Sequence, residues 1–222
     1  MRWLGALTLL VLVGCSKATP APPVATTVPT PSPIATAAPV IAEPRTPTGE
    51  YFLGRADAPV TLEMFGDFQC PVCGEFARSI EPPFVQKYVE TGKVKFVWRD
   101  YTWIGDESFA AAEAARCAGE QGHFWAYHDY LFAHQHGENL GDFSDANLRD
   151  FAADLGLEPT GFAACLSAGR DLPAIHNAVS YGVSQGVDVT PSFLINGDLK
   201  VGAPPLNRLS ALMEYYLART LH

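Results

Sequence analysis

Two cysteines, Cys70 and Cys73, stand three positions apart in the stretch GDFQCPVCGEF (66–76), with Pro71 and Val72 between them. This spacing suits half of a metal site, a structural disulfide, or a pair that is oxidised and reduced in turn. The two cysteines alone do not distinguish these uses, so the rest of the chain has to supply the context.

A zinc site would need two further ligands beside Cys70 and Cys73. Neither Cys117 nor Cys165 has a cysteine or histidine two to five residues away, so a second half-site is missing. Four histidines fall in an aromatic segment, where surface or half-buried histidines are the common outcome. We therefore expect no metal and no cofactor; a non-catalytic module that holds a metal or a client protein is the competing hypothesis. The histidines are His123, His128, His134 and His136.

The N-terminal residues 1–14 begin with a positive charge and continue as an uncharged apolar run. This run is too short to span a bilayer as a helix and is typical of a signal peptide. It ends in LVGC (12–15), which resembles the lipobox of bacterial lipoproteins. The sequence therefore predicts export and tethering to the bacterial cell membrane through a lipidated Cys15. Ordinary secretory cleavage that leaves Cys15 unmodified is the alternative.

Residues 15–49 are rich in proline, threonine and alanine and carry few charges. Such a composition buries too little apolar surface to fold, so we expect a disordered, extended tether. Residues 50–222 are enough for one domain with a sizeable core. The formal net charge of -9 argues against nucleic acid as a partner.

Export to an oxidising compartment favours disulfides among the four remaining cysteines. A bridge between Cys117 and Cys165 would stabilise the fold by about 4 kcal/mol through the loop of about 49 residues that it closes. The loop between Cys70 and Cys73 is too small to contribute much in this way. We therefore expect one pair to serve structure and the other to serve chemistry.

Apolar patterns in residues 50–222 predict a mixed domain of strands and helices. The Pro82-Pro83 pair should break or kink the helix that begins at Pro71. The predicted order is strand 59–65, helix from 71, strand 93–101, a block that is helical throughout 106–169, helix 172–185, strands 191–196 and 199–203, and helix 205–220.

In this order of elements, residues 50–222 resemble the DsbA-like thioredoxin-fold oxidoreductases. The resemblance implies an α/β thioredoxin fold with a helical insertion at 106–169. It also implies disulfide exchange with exported proteins that contain cysteines, and a membrane redox partner that recycles the active pair. Four segments carry it in the family's order: APVTLEMFGDFQCPVCGEF, GKVKFVWRDY, CAGEQGHFWAYHDYLF and VTPSFLING.

The resemblance also assigns roles to single residues. It makes Cys70 the nucleophile and Cys73 the resolving thiol. Pro191 becomes the cis-proline that faces the pair, and substrates bind against it and Thr190. At the start of a helix, the sulfur of Cys70 should have a lowered pKa, because backbone N–H groups point at it.

The residues between the cysteines bear on the direction of exchange. Val72 offers neither charge nor hydrogen bond, whereas the oxidising prototype of the family has histidine there. We expect an oxidant that is milder than that prototype; a reductase or an isomerase is the alternative.

Proton transfer from Cys73 is where the sequence departs from the family. Many thioredoxin-fold members place a buried carboxylate six residues before the nucleophile, and here that residue is Met64. Glu63 should point to the other face of its strand, since side chains alternate. Asp67 lies closer to Cys70, in the predicted loop.

Overall fold

The computed structural model describes residues 43–220, so the predicted signal peptide, Cys15 and the greater part of the predicted tether lie outside the described residues. Five strands form one mixed sheet in the order β1-β3-β2-β4-β5. Strands β2 and β3 run parallel, and the other neighbours pair antiparallel. The strands are β1 (Phe52–Leu53), β2 (Val60–Gly66), β3 (Val94–Asp100), β4 (Ser192–Ile195) and β5 (Asp198–Val201).

The central strand β2 is buried because its alternating side chains serve both faces of the sheet. Val60, Leu62 and Met64 are fully buried in the main core. Phe65 lies in a smaller apolar cluster, with Tyr101 and Leu194 among its members. The strand therefore holds the loop that follows it, and with it the cysteine pair, against a fixed platform.

The helical segment after β2 does not break at Pro82-Pro83. It runs through α1 (Pro71–Glu75), a π-helical stretch (Phe76–Ile80), α2 (Glu81–Phe84) and a second π-helical stretch (Val85–Val89). Prolines lack the N–H that an α-helical turn needs, but they are tolerated in a first turn. The wide turn before α2, closed by the N–H of Glu81 on the carbonyl of Phe76, places both prolines there.

The sequence pattern predicted that the block 106–169 is helical throughout, and this prediction is wrong. Four helices occupy it, and residues 134–144 form an irregular connection between the second and third. Asn139 and Gly141 adopt left-handed conformations in this connection (φ 54° and 87°), which no helix can accommodate. The helices after β3 are α3 (Asp106–Glu120), α4 (Phe124–Ala133), α5 (Asp145–Asp154), α6 (Pro159–Ala168), α7 (Leu172–Ser184) and α8 (Leu206–Arg219).

A disulfide between Cys117 and Cys165 joins α3 to α6. Both cysteines are 1% exposed, so the bridge lies inside the core of the helical insertion. A buried ion pair holds α3 to the sheet, with Nε of Arg116 2.7 Å from Oδ2 of Asp100 at the end of β3. The insertion is thereby fastened to β3.

The domain begins before residue 50, which corrects the predicted boundary of the tether. The carboxylate of Glu43 accepts hydrogen bonds from the N–H groups of Phe124 (2.5 Å) and Trp125 (3.3 Å). A carboxylate at that position satisfies free N–H groups at the start of α4. Arg45 also forms an isolated β-bridge with Tyr51. The sequence pattern missed these contacts because proline-rich composition says nothing of single polar side chains.

Within residues 43–220, no helix combines the length and the apolar character that a membrane crossing requires.

Candidate active site

Cys70 occupies the N-cap position of α1, directly after the loop that leaves β2. The N–H of Cys73 points at the Cys70 sulfur, 3.5 Å away. Pro71, at the first helical position, is exposed and loses no hydrogen bond there. Cys70 is 5% exposed and Cys73 is fully buried, so only the first sulfur lies at the surface.

The two thiols differ strongly in acidity. The hydrogen bond with the Cys73 thiol, against the opposing effect of burial, lowers the pKa of Cys70 to about 6. Hydrogen bonds from Thr190 and from the backbone of Cys73 and Val72 act in the same direction. Burial raises the pKa of Cys73 well above its ordinary value. At neutral pH the outer sulfur is therefore a thiolate and the inner one a thiol.

Thr190 and Pro191 face this pair, and the peptide bond between them is cis. Strand β4 begins directly after them and pairs with β2, with Ser192 opposite Phe65. This register brings the carbonyl oxygen of Thr190 to 3.4 Å from the sulfur of Cys70. Residues more than a hundred positions apart thus form one surface.

The reactivity of the outer thiol should follow its lowered pKa. In the reduced chain we expect the rate of alkylation by iodoacetamide to rise with pH around a midpoint near 6, because the thiolate is the nucleophile. Cys73 should stay unreactive in the folded chain. Mass mapping of the alkylated cysteine over pH 4–9 measures this, and a midpoint near 9 would contradict it.

Two residues that the sequence reasoning missed complete the site. Trp103, 54% exposed, follows β3 and donates its indole N–H to Oγ1 of Thr190 at 3.0 Å. Gln135, in the irregular connection after α4, donates to the carbonyl oxygens of Phe68 (2.6 Å) and Cys70 (3.0 Å). The position of Trp103 was a usable signal, since parallel strands end at the same edge of a sheet. Nothing in the sequence pattern marks Gln135.

The structure also places the three residues considered for proton transfer. Met64 is fully buried in the apolar core. Glu63 lies on the other face of β2 and pairs with Arg99, as the alternation of side chains predicted. Asp67 is 1% exposed, and burial raises the pKa of its carboxyl. The backbone of Asp67 hydrogen-bonds to the Cys73 sulfur, whereas the carboxylate of Glu63 is engaged with Arg99, so Asp67 is the better placed of these two acids.

A family model described as Thioredoxin matches residues 46–214 of the chain. Over 80% of its length the chain is 34% identical to a protein named Na(+)/H(+) antiporter NhaA 1 from Salinispora arenicola, of which it spans only 26%. It is also 36% identical over 89 residues to disulfide bond formation protein D of Bacillus subtilis, covering 39% of this chain and 40% of that relative. The chain thus spans well under half of these relatives.

Solved structures of other proteins share the fold of this chain. Oxidised BdbD from Bacillus subtilis superimposes with a TM-score of 0.72 at 23% identity, covering 81% of this chain and 98% of BdbD. Wolbachia pipientis alpha-DsbA1 gives 0.70 at 22% identity, with 78% and 92% covered. The chain therefore belongs to the thioredoxin family, and its fold is that of these two DsbA-like structures.

Proposed function

We propose that the chain is an exported, membrane-tethered thiol–disulfide oxidoreductase that acts mainly as an oxidant on proteins with free cysteines. The observation that carries this proposal is the pair of sulfurs with opposed acidity, a lowered pKa at Cys70 and a raised pKa at the buried Cys73. Such a pair can form, exchange and re-form a disulfide without a cofactor.

The oxidising cycle begins with Cys70 and Cys73 joined by a disulfide. A client thiolate attacks the sulfur of Cys70, a bond forms between client and Cys70, and Cys73 leaves and takes up a proton. A second client thiolate then attacks the client's own sulfur and releases Cys70 as a thiolate. The client gains a disulfide, the pair is left reduced by two electrons, and a membrane redox partner with an oxidised acceptor has to restore it.

The acidity of Cys70 supports a mild oxidant. A thiolate that the fold stabilises favours the reduced form and therefore raises the oxidising power of the pair. A pKa of about 6 lies between the value of about 7 for thioredoxin and about 3.5 for DsbA. Val72, 50% exposed, supplies no charge or hydrogen bond to the thiolate from its side chain.

Client proteins would contact exposed apolar side chains next to Cys70. Val72 and Trp103 are both about half exposed on the surface that carries Cys70. The cis-linked Thr190 and Pro191 complete this surface and offer backbone groups to an extended peptide. We propose that a client polypeptide lies across these residues, with its cysteine at Cys70.

The direction of exchange can be tested through stability. The lowered pKa of Cys70 contributes stability to the reduced chain above the unfolded pKa of 9.0, and this contribution is lost as pH falls through about 6. The oxidised chain has no such thiolate. From pH 5 to pH 8, the free energy of unfolding of the reduced chain, relative to the oxidised chain, should rise by on the order of 2–3 kcal/mol.

Denaturant titrations of both forms at the two pH values measure this difference. An oxidised chain that is the more stable form at pH 8 would identify a reductase instead. Oxidation of a reduced two-cysteine peptide, run beside insulin reduction, separates oxidase from reductase or isomerase. A chain inactive in both assays would be a non-catalytic module that holds a client or a metal.

The anchor is a separate proposal, and it rests on the sequence of residues 1–15. Cys15→Ser should release the chain from the membrane fraction and leave peptide oxidation unchanged, because every residue assigned to the site lies within residues 43–220. Cell fractionation and the peptide assay measure both effects. A membrane fraction unaltered by this substitution would show that another feature anchors the chain.

A further inference from the structure

A buried imidazole and two carboxylates come together on the helical segment beyond the cysteine pair. Glu81 begins α2, and His128 and Asp129 are neighbours on α4. One ligand atom from each residue lies within 4.8 Å of the others. Nδ1 of His128 is 2.9 Å from Oδ1 of Asp129. The cluster therefore joins the active-site helical segment to the helical insertion.

Two polar atoms of this cluster lack a partner within the part of the chain that the structure describes. Oε2 of Glu81 and Nε2 of His128 are both buried without a hydrogen bond. His128 is fully buried among aromatic rings, and Glu81 is 5% exposed. A buried polar group without a partner destabilises a fold, so native proteins rarely leave two of them side by side.

A cavity of about 260 Å³ opens beside the cluster. Glu81 and Asp129 line it together with Glu90 and Trp125, and none of its lining residues is a lysine or arginine. Asp129 is exposed, so the cavity reaches solvent on that side. A cavity lined by carboxylates, with the imidazole of His128 within reach of two of them, attracts a cation and repels an anion.

We propose that Glu81, His128 and Asp129 bind a divalent cation of the zinc class. Imidazole nitrogen with two carboxylate oxygens is a donor set that zinc accepts, with a water in the fourth position. The imidazole disfavours magnesium and calcium, which prefer oxygen ligands. The site uses neither Cys70 nor Cys73 and does not depend on their exchange chemistry.

A bound ion would act as a clamp between two elements. It would neutralise Glu81, whose pKa burial raises to about 7, and would give Oε2 a partner. It would also hold α2 against α4, and so fix the helical segment that carries Cys70 and Cys73. Because an unfolded chain lacks the assembled site, bound zinc should raise the stability of the fold.

Equilibrium dialysis of the full-length chain against zinc, followed by metal analysis, tests the proposal. The chain is used with Cys70 and Cys73 oxidised, because reduced thiols bind zinc themselves. We expect about one ion per chain and a rise in the melting temperature. Glu81→Gln and His128→Gln should each weaken zinc binding by about tenfold or more.

Two further variants keep the test decisive. His136→Gln is the matched control, because His136 forms an exposed pair with Asp142 (3.2 Å) away from the cavity. It should bind zinc as the wild type does. Asp129→Asn changes an exposed side chain, so it should fold even where His128→Gln does not, and it should also weaken binding.

Cobalt gives a readout that needs no variant, since a tetrahedral cobalt site absorbs visible light. Oxidised wild type that takes up neither zinc nor cobalt would overturn the proposal. Zinc binding that is unchanged in Glu81→Gln and Asp129→Asn, or that is lost in His136→Gln, would also overturn it.

Discussion

Cys73→Ala is expected to accumulate client proteins as mixed disulfides on Cys70. The exchange is reversible, and the variant, which cannot form the Cys70–Cys73 disulfide, can still enter it from the reduced side: the thiolate of Cys70 attacks a client disulfide, one client sulfur joins Cys70, and the other leaves as a thiolate. In the native chain the sulfur of Cys73, which lies within hydrogen-bond distance of the Cys70 sulfur, then displaces the client sulfur from Cys70. Without it the intermediate has no internal thiol to break it. Non-reducing gels and mass spectrometry of the trapped species measure the effect.

Cys70→Ala is the matched variant and should lose thiol exchange altogether. The remaining thiol of the pair, Cys73, is fully buried and has a pKa raised well above the ordinary value, so it is neither accessible nor ionised. Active Cys70→Ala together with a Cys73→Ala variant that traps nothing would reverse the two roles.

Removing the bridge between α3 and α6 is expected to have the second largest effect. With Cys117 and Cys165 both replaced by alanine, the unfolded chain regains the freedom of a loop with a sequence separation of 48. The free energy of unfolding should fall by about 4 kcal/mol and the melting temperature by roughly 10 °C. Thermal unfolding of the double variant beside the wild type measures both.

The active pair is the internal control for this prediction. Peptide oxidation below the new melting temperature should persist, because neither Cys117 nor Cys165 contacts the surface around Cys70. Mild reductant should open the bond between Cys70 and Cys73 and leave the buried bridge closed. A melting temperature unchanged by the double substitution, or free thiols at both positions in the purified wild type, would contradict the structural role.

Local patterns in the sequence were sufficient to predict the order of strands and helices in this protein. Alternating apolar residues located β2 and β3 within a residue or two, because a buried strand must fill both faces of the sheet. The spacing of Cys70 and Cys73 with Pro71 between them located the start of a helix, since proline suits a first turn. The order of these elements was enough for the family.

Local sequence patterns predicted the interruptions of the helices less well. Pro82-Pro83 gave the expectation of a break or a kink, and the break does not occur because a π-helical turn moves both prolines into a first turn. Residues 134–144 were included in the helical block although they contain two glycines and an asparagine, and Gln135 and Asn139 hydrogen-bond to the carbonyl of Cys70 and the side chain of Gln69. Such contacts outweigh weak helical propensity.

Only the tertiary structure decided the chemistry of the site. The pKa of Cys70 is lowered first by the Cys73 thiol and further by the side chain of Thr190, which lies beside it because β4 pairs with β2, and a contact over that sequence distance leaves no periodic trace in the sequence. The same holds for Glu81 and His128, which look like unrelated charged and aromatic-flanked residues until α2 and α4 pack together. Local propensity acts over a few residues, whereas pKa values and ligand sets depend on groups that folding brings within a few ångströms.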